Sequence, residues 1–276
     1  MSQTSKKDDT WSATEYTNTA SFVYSDEFTR PVLDLLQPTD GERILDLGCG
    51  SGELTKVLME VVGANGHIVG IDSSPNMIEK ARRNGVTHTR VMDAQKVVLD
   101  VDGDLKAGSF DAVFSNATLQ WCKESPSSVV KHAWDALKPG GRFVVEMSGF
   151  ASLAGLRTSL YRAIARRGYD PHPQDPWYFP SDTAYRALLE KQGFQVESIG
   201  LFPRLTHVPR GLKAWMELFV RKSMLGVFTN EQADEIMEEV VKECEVDMCD
   251  EEGRWFILSM RLRFKAIKPP GQLTVV

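Results

Sequence analysis

Three carboxylates stand out by position, because Asp46, Asp72 and Asp93 each close an apolar run. Asp46 leads into Gly48-Cys-Gly-Ser-Gly52, a G-x-G-x-G turn in which Cys49 fills a place that wants a small residue. A dinucleotide fingerprint reads G-x-G-x-x-G/A and calls for a small residue at position 53, where this chain has Glu53. The turn therefore suits a nucleoside that bears an amino acid and no pyrophosphate. Asp72 can accept both ribose hydroxyls, with Ser73 beside it. Asp93 and the backbone N–H of Ala94 can read the N6 amine and N1 of an adenine. Met77 offers a flexible thioether to the face of that ring. Each residue also has a plainer reading: a tight turn for the glycines, a solvated turn aspartate for Asp72, core for Met77 and a helix cap for Asp93.

The elements that must hold these groups alternate strand with helix from Arg43 onward, the pattern of a parallel sheet covered on both faces. The spacing predicts a strand over about 43–48, a helix over about 53–62 and a second strand over His67–Asp72. Ser74 caps the next helix and Pro75 starts it, where a missing N–H costs nothing. Strands follow at about 88–92 and at Phe110–Ser115. A helix over about 126–137 buries Val130, Ala133, Trp134 and Leu137. Lys138-Pro-Gly-Gly141 stops it, and Arg142–Glu146 is the fifth strand.

Beyond 150 the pattern predicts helices over about 151–167 and 182–192 around a Pro- and aromatic-rich loop, Tyr169–Pro180, and then a strand near 195–202. Thr229 and Gln232 form a capping box for a helix with an apolar stripe of Ala233, Ile236, Met237, Val240, Val241 and Cys244. In the last strand Met260, Leu262, Phe264 and Ala266 face one way and Arg261, Arg263 and Lys265 the other, as in a half-exposed antiparallel strand. The expected fold is α/β: a doubly wound, Rossmann-like, mostly parallel seven-stranded sheet with an antiparallel C-terminal strand and a small helical cap. Residues 1–12 are read as a disordered tail and 13–276 as one domain. Its cofactor half spans about 40–150, and its acceptor-binding elements lie at about 13–36, 151–180 and 208–250. Three acids at three successive strand ends, where open α/β sheets bind ligands, make S-adenosylmethionine the leading candidate ligand.

Bulk properties narrow the partners. A net charge of −6 with no basic patch argues against nucleic acid. No apolar run is long enough to span a membrane, and the polar N-terminus has no leader-like core. The four cysteines lack C-x-x-C spacing and read as free thiols of a reducing, cytoplasmic compartment. No metal site is expected. A monomer is compatible with the sequence, which leaves oligomeric state open.

Asp46-Leu-Gly-Cys-Gly-Ser-Gly52, Gly70-Ile-Asp-Ser-Ser-Pro-Asn-Met77, Phe110-Asp-Ala-Val-Phe-Ser-Asn-Ala117 and Leu137-Lys-Pro-Gly-Gly-Arg-Phe143 together resemble the sequential motifs of class I S-adenosylmethionine-dependent methyltransferases. Within that superfamily, Ser115-Asn-Ala-Thr-Leu-Gln-Trp121 and the C-terminal layout resemble the trans-aconitate methyltransferase group. The resemblance implies that Asp46 and the Gly48, Gly50 and Gly52 backbone hold the methionine part, Asp72 the ribose, and Asp93-Ala94 the adenine. It implies that Ser115 and Asn116 sit at the mouth of the methyl-transfer channel. The nucleic-acid and protein amine methylators of this fold usually carry N/D-P-P-Y there, and Ser-Asn-Ala-Thr in this chain counts against adenine-N6 or glutamine-amide methylation.

The implied acceptor is a small carboxylic acid, which is ionised at pH 7 and needs no general base. The seven arginines Arg157, Arg162, Arg166, Arg167, Arg204, Arg210 and Arg221 offer guanidinium clamps for it. Tyr24, Trp121, Trp177, Tyr178 and Trp215 are candidates for the acceptor wall, although core packing is the commoner fate of such aromatics. Two rival readings remain open. One is N-, O- or C-methylation of a hydrophobic metabolite, with His172 or His207 as base. The other is a regulatory module that binds the cofactor without turnover. Of the remaining histidines, His67 and His88 start strands away from the ligand, and His132 lies off the apolar stripe of its helix and is read as solvated.

Overall fold

In the first strand Ile44 and Leu45 point to opposite faces, and both are fully buried. A strand apolar on both sides needs cover on both sides, and the chain supplies it. The computed structural model describes residues 25–271, so the expected tail 1–12 and the aromatics Tyr16, Phe22 and Tyr24 lie outside the described residues. In chain order the elements are α1 (Asp26–Leu36), β1 (Arg43–Leu47), α2 (Glu53–Val62), β2 (His67–Asp72), α3 (Pro75–Arg83) and β3 (Thr89–Val91). They continue with β4 (Phe110–Asn116), α4 (Pro126–Ala136), β5 (Leu137–Ser148), α5 (Ala154–Arg166) and α6 (Asp182–Gln192). The last are β6 (Gln195–His207), α7 (Gly211–Phe219), α8 (Asn230–Met248) and β7 (Phe256–Ile267).

The strands form one seven-stranded sheet in the order β3-β2-β1-β4-β5-β7-β6. Neighbours from β3 to β5 pair in parallel, and β7 runs antiparallel to both β5 and β6. The order reverses between β1 and β4, which opens a crevice at the strand C-termini. One face packs Ile44, Ile68, Phe114 and Val144 under α1 and α2. The other packs Leu45, Val69, Val113, Phe143 and Val145 against α4 and α6. A third apolar cluster joins α5, α7 and α8 through Leu160, Ile164, Met216, Ile236 and Val240, and forms the cap. Ser74 Oγ accepts from Met77 N–H at 3.2 Å, and the Thr229–Gln232 capping box is formed.

Four expectations need correction. The Lys138–Gly141 turn does not precede the fifth strand. Leu137 already pairs with Phe110 and Arg142 pairs with Ala112, so the turn bulges out of β5. Second, β6 runs on to His207, because it pairs with β7 along its whole length. Third, β7 is not half-exposed. It lies inside the sheet, β6 is the edge strand, and Arg261 and Arg263 turn onto the buried Glu146 rather than into solvent. Finally, His132 is half-buried, with Nδ1 3.1 Å from the Ala94 carbonyl, so it is not a solvated side chain.

Candidate active site

A cavity opens at the C-terminal ends of β1, β2 and β4 and continues under the cap. The space it outlines, open mouth included, is about 1580 Å³. Its two walls are built differently.

The first wall is mostly backbone and strand ends. Asp46, Gly48, Cys49, Gly50, Asp72, Ser73, Met77 and Asn116 line it. Gly48 has φ +79°, and a Cβ there would lie 2.1 Å from Thr118 Cγ2. Thr118 Oγ1 in turn donates to the Gly48 carbonyl at 3.1 Å. Asp72 stitches the wall together: Oδ2 accepts from Gly50 N–H at 3.0 Å and Oδ1 from Ser74 N–H at 2.8 Å.

Asp46 is 2% exposed and accepts from Thr55 Oγ1 at 2.7 Å. Burial, and then repulsion from Asp72, push its carboxyl up to about 7 against the Thr55 hydrogen bond. The Cys49 thiol is pushed far above its usual range by burial and by the neighbouring Asp46 and Asp72. It acts as a small apolar filler and not as a nucleophile. Asn116 Oδ1 is buried at the cavity and accepts no hydrogen bond among the described residues.

Four candidates for this wall do not line the cavity. Gly52 sits behind it as the left-handed N-cap of α2, where a Cβ would meet Val86 Cγ2 at 2.7 Å. Ser115 is fully buried and donates to the Leu47 carbonyl at 2.6 Å, tying β4 to β1. Asp93 caps the short 3₁₀ turn Ala94–Lys96, its Oδ1 accepting from Gln95 N–H at 2.8 Å. Ala94 is buried and holds His132 through its carbonyl.

The second wall is made of side chains from distant parts of the chain. Trp121, Trp177, Phe179, Trp215 and Phe219 form its aromatic part. Trp177 and Phe179 stack at 5.7 Å with a 10° tilt. Asp175 fixes their loop, accepting from Arg157 Nε at 2.6 Å, Tyr161 OH at 2.7 Å and Trp177 N–H at 2.9 Å. Arg157 thus clamps the protein's own aspartate. Arg166 and Arg167 pair with Glu239 on α8, and Arg221 pairs with Glu217 and Asp234.

Tyr178 does not line the cavity. It lies between the two lining aromatics in an extended segment and turns to the core, 6.4 Å from Tyr185. Nor do the proposed bases. His172 is exposed beside Asp170, and His207 is exposed on the edge strand against Phe256, with the lining residues Thr206 and Val208 on either side. Tyr24 lies outside the described residues.

The charged side chains of this wall come from the last two strands. Arg204 on β6 and Arg261 on β7 line the cavity. Both hold Glu146, which has no exposed surface, with Arg204 Nη1 2.7 Å and Arg261 Nε 3.2 Å from its Oε1. Arg263 takes Oε2 at 2.6 Å from behind. Burial alone would raise the Glu146 carboxyl, but Arg261, Arg204 and Arg263 hold it below the usual range. Three guanidinium groups share one carboxylate, so the cluster carries a formal charge of +2. The sequence reading missed Glu146 and treated Arg261 as a solvent-facing strand residue. Its signal was the pairing of a lone acid on β5 with alternate arginines on β7.

One cluster of metal-ligand types occurs among the described residues, His67, His88 and Asp104, at the far end of the sheet. Arg90 pairs with Asp104, and Arg43 weighs on His67, so two cations already occupy its surroundings.

Comparison with known proteins agrees with this geometry. The methyltransferase-domain family matches residues 45–145. An uncharacterized methyltransferase of Schizosaccharomyces pombe is 34% identical over 267 residues, covering 95% of this chain and 99% of that one. A trans-aconitate 2-methyltransferase of Rhizobium leguminosarum bv. trifolii is 34% identical over 140 residues, half of each chain. Among solved structures, phosphoethanolamine N-methyltransferase 2 of Haemonchus contortus, in complex with phosphomonomethylethanolamine and S-adenosylhomocysteine, superposes with a TM-score of 0.55 at 19% identity. That match covers 93% of this chain and 57% of the other and shows a shared fold.

Proposed function

The chain belongs to the class I S-adenosylmethionine-dependent methyltransferases, and we propose that it O-methylates a small carboxylic acid. The cofactor fits the first wall. A buried Asp46 with its carboxyl near 7 favours a cationic ammonium beside it. Asn116 Oδ1 is a buried acceptor in need of a donor. Asp72 is the ribose partner. When bound, the cofactor supplies an already activated methyl group, so the chain has to align the acceptor and exclude water. The aromatic wall and the cap helices do the latter.

The observation that carries the acceptor assignment is the chemistry of the second wall. Two guanidinium groups line it, and no His, Lys, Tyr or Glu side chain does so among the described residues. A carboxylate needs no base, whereas a phenol or amine benefits from one. Transfer to a carboxylate forms an O–C bond as the S–C bond breaks, neutralises a cation and an anion together, and leaves no proton to remove. The test is methyl-ester formation, read as base-labile label from a labelled methyl donor, with a panel of di- and tricarboxylic acids. Esters with some of the acids support the proposal. Turnover confined to phenols or amines, or none with any acceptor, overturns it. The aromatic residues of the same wall favour a second reading, a hydrophobic acceptor, which the label panel separates by adding apolar phenols.

A further inference from the structure

The second wall is neither simply basic nor simply apolar, and its guanidinium and aromatic groups come from different elements. Arg204 and Arg261 lie on the sheet strands β6 and β7, whereas Trp177 and Phe179 come from the loop before α6, and Trp215 and Phe219 from α7. We infer that the acceptor is an amphipathic acid, with a carboxylate held at Arg204 and Arg261 and an aromatic or branched apolar group lying against Trp177, Phe179 and Trp215. This rests on the reading of the chain as a carboxylate methyltransferase, and it narrows which acids qualify.

Three features support it. A tricarboxylic acid with no apolar group would set polar atoms against indole and phenyl rings, losing water contacts without replacement. A purely apolar ligand would set no acceptor against Arg204 and Arg261, the two guanidinium groups that line the cavity. An amphipathic acid meets the guanidinium and the aromatic groups of this one wall at once. The arginines are also held in place before any ligand arrives. Arg204 packs over the Phe28 ring at 4.9 Å and donates to the Phe28 carbonyl at 3.3 Å, and Arg261 donates to Ser148 Oγ at 2.9 Å. Glu146 is thus a positioning residue: it orients the guanidinium groups and does not line the cavity. Little side-chain freedom remains to be lost on binding.

Calorimetry on the complex with S-adenosylhomocysteine, using succinate and phenylsuccinate, tests the inference. The two probes have the same carboxylates and differ by one phenyl group. Phenylsuccinate should bind about ten- to a hundredfold more tightly, the range expected for burying an aromatic group. Trp215→Ala should bring the two affinities within about threefold by weakening phenylsuccinate alone. Arg204→Gln should weaken both acids about tenfold or more, and Arg204→Lys should recover part of the loss. S-adenosylhomocysteine affinity should change less than twofold in every variant, which confirms that the cofactor wall is intact. Equal affinities for the two acids in the unmodified protein, or no effect of Arg204→Gln on either, would overturn the inference. Ester formation on both acids at equal efficiency defeats the inference alone. Failure of every acid to be methylated defeats the functional proposal itself.

Discussion

The two walls of the cavity are built by opposite means. The cofactor wall comes from the ends of β1, β2 and β4, with its contacts set by backbone turns that side chains of neighbouring strand ends tie down: Asp72 bonds Gly50 and Ser74 across 22 and 2 positions, and Thr118 bonds Gly48 across 70. The acceptor wall is assembled across more than a hundred residues. Glu146 meets Arg261 and Arg263 across 115 and 117 positions. A backbone-built site tolerates little change of residue, and its turn is legible in a short glycine motif. A side-chain-built site can be re-specified by a few substitutions, while its members depend on one another over long separations.

The strongest test of that contrast is Glu146→Gln. Removing the single carboxylate that three guanidinium groups share leaves buried like charges facing each other. A loss of about 3–5 kcal/mol of stability is expected, as for other broken buried ion pairs, read by denaturant unfolding. The surviving folded fraction should bind S-adenosylhomocysteine normally. If cofactor affinity fell with stability, the two walls would not be separable. Gly48→Ala probes the other side. A Cβ would press on Thr118 at a backbone angle that L side chains avoid, so cofactor affinity should fall on the order of a hundredfold (about 3 kcal/mol). Stability should change much less. An unaffected affinity would show that the turn can relax.

The same contrast explains what could be read from the residues alone. The glycine turn, Ser74-Pro75 and the Thr229–Gln232 box are decided within four or five residues, and each forms where the local pattern puts it. Alternation along β7 was read correctly as two faces, but alternation does not say whether the polar face meets water or a buried acid. Pairing with β5 on one side and β6 on the other decides that, and pairing is a long-range fact. Asp93 was ambiguous for a different reason. The same side chain, one residue ahead of a helical turn, serves equally as cap or ligand group, and the nearby Gln95 N–H claims its Oδ1. His207 stays out of the cavity because strand alternation turns it outward while Thr206 and Val208 line it.

A smaller effect is expected from Asp72→Asn. The isosteric amide can still accept from one of Gly50 N–H and Ser74 N–H, but it loses the charge that strengthens both bonds. A ten- to thirtyfold loss of S-adenosylhomocysteine affinity by calorimetry is expected, about 1.5–2 kcal/mol. An unchanged affinity would remove Asp72 from the ribose assignment.

The subtlest test is in pH. Burial and Asp72 raise the Asp46 carboxyl from 3.8 to about 7. Above pH 7 the free protein carries the carboxylate that a cationic amino group on the ligand can use, and below it the group is mostly neutral. S-adenosylhomocysteine affinity should therefore fall about tenfold from pH 8 to pH 6, each unit of pKa being worth about 1.4 kcal/mol. The stability of the ligand-free protein should move the opposite way. Because the folded state holds this proton up to about pH 7 and the unfolded state loses it near pH 4, rising pH across that window favours unfolding. Asp46→Asn keeps an acceptor for Thr55 Oγ1 and removes the titration, so both pH dependences should flatten together. Asp72→Asn removes the repulsion, so the affinity midpoint should shift to lower pH. Affinity that stays level between pH 6 and 8 in the unmodified protein would show that Asp46 serves only the turn's architecture, and the cofactor wall would then be held by backbone and Asp72 alone.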